Sequence, residues 1–230
     1  MSGEAVARLL ARTQLFGQLE ADELDRLAGE SRVRRYEAGQ QVFARGEPGG
    51  GVYVVAEGSI ALTVTSETGA EVVLAVVRPP RSFGELSAID GQPRVASAVA
   101  RQRSTLVAVP KATVARVLRE HPSVASALLI EMAAMIRATD DRATDLVLKD
   151  LRGRVVRFLL DAAGPRPPAA EAGVAVPVDV RLTQSELASL VGGSRQQVNR
   201  IVVALEAEGC VLRKGSRIVA IRPDLLRRGE

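Results

Sequence analysis

The 230-residue sequence is 47% hydrophobic and 25% charged, which is typical of a folded chain with one large domain or two modest ones. A single cysteine, Cys210, and a single histidine, His121, exclude an internal disulfide, a cysteine-ligated iron–sulfur cluster, a cysteine-rich zinc site and most imidazole chemistry. Residues 1–148 carry 17 basic and 18 acidic side chains and residues 149–230 carry 14 and 9, so the positive excess of the last third indicates an anionic partner.

The sequence carries no motif typical of targeting or of catalysis. The N-terminus lacks the long apolar core of a signal peptide, and no apolar run approaches about 18 residues, so we expect a cytoplasmic protein without a membrane partner. The sequence has no nucleophile–histidine pair and no phosphate-binding glycine loop of the nucleotide hydrolases. We therefore expect a protein that is not an enzyme and that holds no metal, haem or iron–sulfur cluster.

The N-terminal half changes from helical to strand periodicity near Val33. Apolar residues recur at helical spacing from Val6 to Leu27. Between residues 30 and 110, short β-branched or aromatic runs alternate with turns that contain glycine or proline. This pattern is typical of a small antiparallel barrel or sandwich.

Helical periodicity returns after Pro110. Ala112–Arg119 is predicted to be a short helix, and from Ser123 to about Lys149 apolar residues recur every three or four positions without a glycine or proline. A helix of roughly 27 residues, about 40 Å long, is expected there. Its narrow apolar seam favours a coiled-coil contact with a second copy, and the alternative is an intramolecular core.

Beyond the long helix, Asp150 is suited to cap a further helix, Leu151–Ala163. A proline- and alanine-rich loop, Pro165–Gly173, follows it. Val174–Leu182 alternates around a proline, which is typical of an edge strand.

Two capping boxes stand in tandem in the C-terminal third, Thr183–Glu186 and Ser194–Gln197. They predict one helix over Gln184–Leu190 and a second over Arg195–Glu208. The turn between them contains Gly192, a residue type suited to a left-handed backbone conformation. This combination predicts a DNA-binding helix-turn-helix, and the alternative is an ordinary helical hairpin with a solvated basic face.

The candidate DNA contacts follow from this arrangement. Val211–Ile221 is predicted to form a β-hairpin wing with basic residues around its turn. The side chains suited to base edges and phosphates lie on the second helix, at the two helix starts and at the tip of the wing. They are Thr183, Gln184, Ser194, Arg195, Gln196, Asn199, Arg200 and Lys214.

The order of these elements resembles the cyclic AMP receptor protein/fumarate–nitrate regulator (CRP/FNR) family of bacterial transcription factors over nearly the whole chain. The resembling segments are Gly46–Gly58, Phe83–Ser97, Asp150–Arg154 and Val191–Arg200. The resemblance implies an α+β fold with three parts. These are an N-terminal β-roll of the cyclic-nucleotide-binding type in residues 1–120, a dimerisation helix in residues 121–149, and a winged helix-turn-helix in residues 150–230.

Phe83–Ser97 resembles the phosphate-binding cassette of cyclic-nucleotide-binding domains. By this resemblance Glu85 accepts a hydrogen bond from the ribose hydroxyl and Arg94 binds the phosphate, chemistry that both side chains can perform. The implied ligand-binding residues are Gly84, Glu85, Leu86, Arg94, Val95, Thr139 and Asp140. The alternative is an effector-independent member with an empty pocket, in which Glu85 and Arg94 form a structural ion pair.

Two departures from the family pattern bear on the effector. Val95 stands where cyclic AMP responders often carry serine or threonine, which removes a hydroxyl contact of about 1 kcal/mol. Thr139-Asp140 stands where the family places its adenine-facing pair; Asp140 can accept from the adenine amino group, but it also suits the adjacent donors of guanine. Cyclic AMP is the favoured effector, and cyclic GMP is the competitor. The third possibility is that Asp140 only lies on a solvated face of the helix.

One departure affects the DNA side. Arg195 and Arg200 are both present and are expected to contact guanines, but Gln196 replaces the glutamate that accepts from a cytosine amino group. The resemblance therefore implies a homodimer on a palindromic site related to TGTGA, altered at one position, with half-sites about 34 Å apart. It also implies contact with RNA polymerase. Redox and haem sensing on the same scaffold are disfavoured, because we expect Cys210 to be buried packing and His121, which precedes Pro122 at a helix start, to be a capping or surface residue.

Overall fold

The computed structural model describes residues 1–65, 71–164, 174–180, 182–215 and 217–228. The predicted loop at 165–173 lies outside these residues. The chain divides into two compact units, residues 1–137 and 138–230.

The first unit alternates helices with short strands. Its elements are α1 (Gly3–Leu10), α2 (Ala21–Glu30), β1 (Arg32–Tyr36), β2 (Gln41–Phe43), β3 (Gly51–Glu57), β4 (Ile60–Thr65), β5 (Glu71–Val77), β6 (Ser82–Phe83), α3 (Glu85–Asp90), β7 (Ser97–Ala100), β8 (Ser104–Pro110), α4 (Lys111–Glu120) and the first part of α5 (Pro122–Leu148). The predicted antiparallel β unit is confirmed. It consists of two four-stranded sheets with the strand orders β1-β8-β3-β6 and β2-β7-β4-β5.

The side chains of β3 contribute to two hydrophobic cores in this unit. Val52 and Val54 pack with α1, α2, α4 and the start of α5, whereas Val55 packs among the aromatic residues of the opposite face. Successive side chains of a strand point to opposite faces, so β3 can serve both clusters. The segment 83–97, which resembles a phosphate-binding cassette, lies beside the aromatic cluster through Phe83.

The helical pattern at the N-terminus forms two separate helices rather than one. Thr13 interrupts it, because its hydroxyl donates to the Leu10 carbonyl and accepts from the Phe16 amide. Gly17 then packs closely against this turn, where a Cβ would lie 2.6 Å from the Thr13 carbonyl oxygen. Local hydrogen bonds of this kind compete with helix continuation.

The second unit holds the end of α5 and the remaining elements. These are α6 (Leu151–Ala162), β9 (Val176–Val180), α7 (Gln184–Val191), α8 (Arg195–Ala207), β10 (Val211–Lys214), β11 (Arg217–Ile221) and α9 (Pro223–Arg228). The sheet order β10-β11-β9 confirms the predicted wing hairpin and the edge strand. The Asp150 carboxylate accepts from the Gly153 amide at 2.7 Å and so caps α6 as predicted.

Helix α5 extends over 27 residues, as its periodicity predicts. Val124, Ala127 and Leu128 are buried in the core of the first unit, whereas Leu129 and Ile136 are 69% and 61% exposed. Among the described residues, α5 is the one helix with the length and composition to span a membrane. The acidic residues near its C-terminal end, Asp140 and Asp141, fall in the same helix.

Candidate nucleotide site and DNA interface

Arg94 is held inside the first unit by groups far from it in sequence. Its side chain is 4% exposed. Nη1 donates to the Gly84 carbonyl at 2.6 Å and Nη2 donates to the Gly51 carbonyl at 2.9 Å. The guanidinium also stacks on Phe43, 4.2 Å from the ring centroid, which is a favourable cation–π distance. Burial lowers the pKa of Arg94, yet so strong a base keeps its charge.

Glu85 is buried on the same connection. It begins α3 directly after Gly84, whose backbone is left-handed at φ 85°, and it is 6% exposed. Burial raises the pKa of its carboxyl, and the carboxylate of Glu131 raises it further. Among the described residues, its Oε2 atom has no hydrogen-bond partner. A buried carboxylate oxygen without a donor is costly, so this atom is chemically suited to a ligand hydroxyl.

Glu85 and Arg94 do not form the structural ion pair that the alternative hypothesis required. Both residues lie in the described part of the chain, and their side chains interact electrostatically without a hydrogen bond or close ion pair between them. The Nη1 and Nη2 atoms of Arg94 donate to carbonyl oxygens, while its Nε and Glu85 Oε2 lack a partner in the part of the chain that the structure describes. The cassette therefore presents a cation and an acceptor separately, as an anionic ligand with a hydroxyl group requires.

The other predicted ligand residues lie in less buried places. Leu86 is half-buried, and Val95 is 60% exposed. Thr139 and Asp140 are exposed on α5 within the second unit. Their contact with a nucleotide stays a prediction.

Both predicted capping boxes form in the second unit. The Thr183 hydroxyl accepts from the Glu186 amide at 3.2 Å, while Glu186 accepts from the Thr183 amide at 2.7 Å. Ser194 and Gln197 make the equivalent pair at 3.3 and 3.1 Å. The hydroxyls of Thr183 and Ser194 thus fix the starts of α7 and α8, and any DNA contact they make is additional to this role.

The helix-turn-helix has the close packing that the sequence predicts. Gly192 is left-handed at φ 68°, and a Cβ on Gly193 would lie 2.6 Å from the Leu151 side chain. Ala188 and Val198 are buried in the core between the two helices. This packing leaves the opposite face of α8 exposed, including Arg195, Gln196 and Arg200, with Asn199 half-buried beside them.

Arg154 ties this motif to the start of α6. Its Nε donates to the Val191 carbonyl at 2.7 Å, Nη1 to the Lys149 carbonyl at 2.8 Å and Nη2 to the Gly192 carbonyl at 3.2 Å. One guanidinium therefore holds the C-terminal end of α7 beside the α5–α6 connection. The sequence showed Arg154 only as part of a resembling segment, and nothing in its spacing revealed these bonds.

The wing presents fewer free charges than its sequence indicates. Lys214, the predicted DNA contact, and Arg217 are exposed beside the hairpin turn. Arg213 instead pairs with Glu206 of α8 through both Nε and Nη2. The carboxylate offsets much of the Arg213 charge, so Lys214 and Arg217 are the better phosphate ligands of this hairpin.

Sequence reasoning missed the residues that surround the buried cassette. Phe43 and Tyr53, which stack around the Arg94 guanidinium, were not predicted to belong to the site. Gly51 supplies a carbonyl to Arg94 at a backbone φ of 144°. The glycine run at 49–51 was the available signal, since close backbone packing requires glycine, but it did not identify the partner.

A further charged cluster lies elsewhere in the first unit. Among the described residues, Glu23, Glu120 and His121 lie close enough to share a cation. The Arg116 guanidinium already donates to Glu23 at 2.6 Å and to Glu120 at 2.8 Å. This cluster is therefore an ion-pair network between α2 and α4. His121 directly precedes α5, as expected, and is also the C-cap of α4, while Cys210 is buried in the second core.

Comparison with known proteins identifies two domains. The cyclic nucleotide-binding domain model matches residues 33–121, and the Crp-like helix-turn-helix domain model matches residues 153–228. These ranges contain the Glu85–Arg94 cassette and the capped helix pair, respectively.

Characterised relatives match over most of their length. A CRP-like cAMP-activated global transcriptional regulator of Mycobacterium tuberculosis is 30% identical over 211 residues, covering 92% of this chain and 93% of the relative. The cyclic AMP receptor protein of Thermus thermophilus is 33% identical over 212 residues, covering 90% and 92%. Both relatives are described as regulators or receptors and not as enzymes.

Solved structures share the fold. The catabolite activator protein of Thermus thermophilus matches with a TM-score of 0.54 at 32% identity, covering 94% of this chain and 97% of that one. The c-di-GMP responsive global regulator CLP of Xanthomonas campestris matches with a TM-score of 0.68 at 25% identity, covering 88% and 99%. The chain therefore belongs to the CRP/FNR family and is a DNA-binding transcription regulator with a cyclic nucleotide-binding domain.

Proposed function

We propose that this protein is a cytoplasmic homodimeric regulator whose affinity for a palindromic DNA site is controlled by a cyclic nucleotide bound at Glu85 and Arg94. The observation that carries the proposal is the pairing of a buried, unpartnered carboxylate oxygen with a buried guanidinium on one short connection. A cyclic nucleotide supplies a ribose hydroxyl for the first and a phosphodiester for the second.

Cyclic AMP is the favoured effector. The relatives named as cAMP-activated or cyclic AMP receptor proteins support this choice. Asp140 also suits guanine, and the c-di-GMP responsive regulator of similar fold supports keeping a guanine nucleotide as the second candidate. A phosphate would replace the carbonyl partners of Arg94 with a charged acceptor, which makes a stronger hydrogen bond than a carbonyl does.

Dimer formation through α5 is part of the proposal. Leu129, Ile136 and Ala143 recur every seven residues, and Met132, Thr139 and Leu146 follow three positions after each. This is the a/d spacing of a coiled coil. Most of these positions are exposed, so a second copy of the helix can cover them.

The DNA site follows from the exposed face of α8. Arg195 and Arg200 are suited to guanines, and Gln196, in place of glutamate, to adenine. We therefore infer two half-sites related to TGTGA and altered at one base pair. Contact with RNA polymerase, which the family resemblance implies, stays a prediction.

Calorimetric titration of the full-length protein with cyclic AMP and cyclic GMP tests the effector site. We expect saturable binding of at least one nucleotide, with cyclic AMP the tighter, and loss of that binding in Arg94→Ala. Arg35→Ala, which changes an exposed arginine of β1 in the same unit, is the control and should still bind. Equal binding by wild type and Arg94→Ala, or no binding of either nucleotide, would contradict the proposed effector site while leaving the DNA-binding domain unaffected.

A further inference from the structure

A group of ion pairs connects the C-terminal part of α5 to α6 inside the second unit. Arg157 of α6 donates from Nη2 to Oδ2 of Asp141 at 2.7 Å. Its Nε and Nη1 atoms lie 3.2 and 3.3 Å from the two carboxylate oxygens of Asp145. The Asp145 side chain is 12% exposed. One guanidinium therefore binds two carboxylates of α5, and one of these is largely shielded from water.

The surroundings of Arg157 carry an excess of negative charge. Asp161, one turn further along α6, lies 3.9 Å from the Arg157 Nε atom. Burial raises the pKa of the Asp161 carboxyl, Arg157 and Arg142 oppose this rise, and the carboxylates of Asp141 and Asp145 add to it. Three carboxylates thus surround Arg157. Removal of its charge would leave them repelling one another between α5 and α6.

The hydrophobic core of the second unit does not include α5. Among the described residues, the buried members of this core lie between Val155 and Leu226. Helix α6 contributes Val155, Val156 and Leu159, which pack with α7 and α8. The ion pairs of Arg157 therefore attach α5 to a helix whose apolar face is already packed against the helix-turn-helix.

Two arginines, one turn apart on α6, bind the elements on either side of it. Arg157 binds Asp141, which directly follows Asp140, the predicted base contact of the nucleotide. Arg154 donates to the carbonyls of residues 191–192, in the turn before α8. A displacement of α5 at Asp140 would therefore reach α6 through Arg157, and α6 would carry it to the start of α8.

We propose that Arg157 is a positioning residue through which nucleotide binding changes the affinity for DNA. This inference rests on the proposed function, because it requires a cyclic nucleotide that controls DNA binding. Arg157 acts through Asp141 and Asp145, which lie on the part of α5 next to the predicted base contact. Without its charge, each ligand still binds at its own site, but binding at one site no longer alters the affinity at the other.

Exchange of the charges separates this role from a merely structural one. Arg157→Gln removes the cation, and Arg157→Asp adds a fourth carboxylate, so both variants should lose the link between α5 and α6. Adding Asp145→Arg to Arg157→Asp places a cation on α5 that faces two carboxylates of α6. The double variant should therefore recover the link, whereas damage to packing would only accumulate.

Arg152→Gln is the matched control. Arg152 lies on the same helix, and its side chain is 33% exposed, against 32% for Arg157. It forms its own ion pair at 2.6 Å with Glu208, the residue that ends α8. That pair joins α6 to α8 and not to α5, so its loss should leave the response to nucleotide intact.

The experiment measures the DNA affinity of the full-length protein by fluorescence anisotropy on the palindrome that the wild type selects. Each variant is measured without nucleotide and with saturating cyclic AMP, or with cyclic GMP if the wild type binds only that nucleotide. Calorimetry verifies that each variant binds the nucleotide, and circular dichroism melting verifies that it is folded. Because coupling between two sites is reciprocal, the nucleotide affinity is also measured with and without DNA.

For wild type and Arg152→Gln, we expect the nucleotide to raise the DNA affinity by about 5- to 150-fold. Arg157→Gln and Arg157→Asp should reduce this response to about twofold or less, and the double variant should restore most of it. A full response in a folded Arg157 single variant, or no recovery in the double variant, would overturn this inference alone. A wild type that binds no nucleotide, or whose DNA affinity does not respond to it, would overturn the proposed function and this inference with it.

Discussion

At the scale of single residues, the effector cassette carries an energetic cost in the protein without ligand. The Glu85 carboxyl is buried with one oxygen unpartnered, and burial raises its pKa. Arg94, by contrast, has two carbonyl partners and an aromatic ring. The energetic cost in the site therefore falls on Glu85 and not on Arg94. Unfavourably placed groups of this kind are common at ligand-binding sites.

Glu85→Gln is expected to stabilise the unliganded protein. Because the folded state raises the pKa of Glu85, ionisation costs stability once the pH rises from the unfolded-state pKa through the folded-state pKa. The cost is absent below the unfolded-state value, where the carboxyl is neutral in both states. Glutamine removes the charge and keeps the shape, so we expect a gain of about 1–3 kcal/mol at neutral pH.

Thermal melting of both proteins between pH 4 and pH 7.5 measures this effect. The difference in stability between Glu85→Gln and wild type should shrink toward pH 4, and cyclic AMP should raise the melting temperature of wild type only. Glu57→Gln, an exposed glutamate of β3, is the control and should show little dependence of this kind. A variant less stable than wild type at neutral pH would contradict the account of Glu85.

At the scale of elements, the first turns of α5 are buried and its later turns are exposed. Its first turns complete the core of the first unit through Val124 and Leu128, and its later turns expose apolar side chains at heptad spacing. Exposed apolar rows of this length are interaction sites in soluble proteins. This distribution explains why a helix with the composition of a membrane span belongs to a DNA-binding regulator.

Ile136→Asp should therefore convert the dimer into a monomer. A carboxylate at a central a position must be desolvated in the interface, at a cost of several kcal/mol per dimer. Sedimentation equilibrium measures the change, and DNA affinity should fall with it. Ala134→Asp, which is exposed and off the proposed seam, is the matched control and should stay dimeric. A dimeric Ile136→Asp would place the interface elsewhere.

Elements whose determinants are local could be predicted from the sequence. The capping boxes at Thr183 and Ser194 and the left-handed Gly192 depend on residues within one turn, and each formed as predicted. The short helix α3 was not predicted, because the cassette was expected to be a turn-rich connection. The partners of Arg94 were missed for a different reason. Phe43 and Gly51 reach it through sheet pairing across more than 40 residues, which no local pattern encodes.

At the scale of the whole molecule, charge is divided unevenly along the chain: residues 1–148 carry a net charge of −1 and residues 149–230 a net charge of +5. The excess of positive charge lies in residues 149–230, which include the helix-turn-helix and the wing. The matched cyclic nucleotide-binding domain and the matched helix-turn-helix domain lie in different units, so the proposed regulation requires that nucleotide binding at Glu85 and Arg94 changes the DNA affinity of the second unit. Such coupling is a free energy between two sites, and it commonly amounts to about 1–3 kcal/mol.

The most direct test of this central claim is the affinity for the selected palindrome, measured by fluorescence anisotropy with and without saturating cyclic nucleotide. We predict that the nucleotide raises the DNA affinity of wild type by about 5- to 150-fold. We also predict that Arg94→Ala keeps the basal DNA affinity and loses the response. A DNA affinity that is the same with and without a nucleotide that binds the protein would contradict the account.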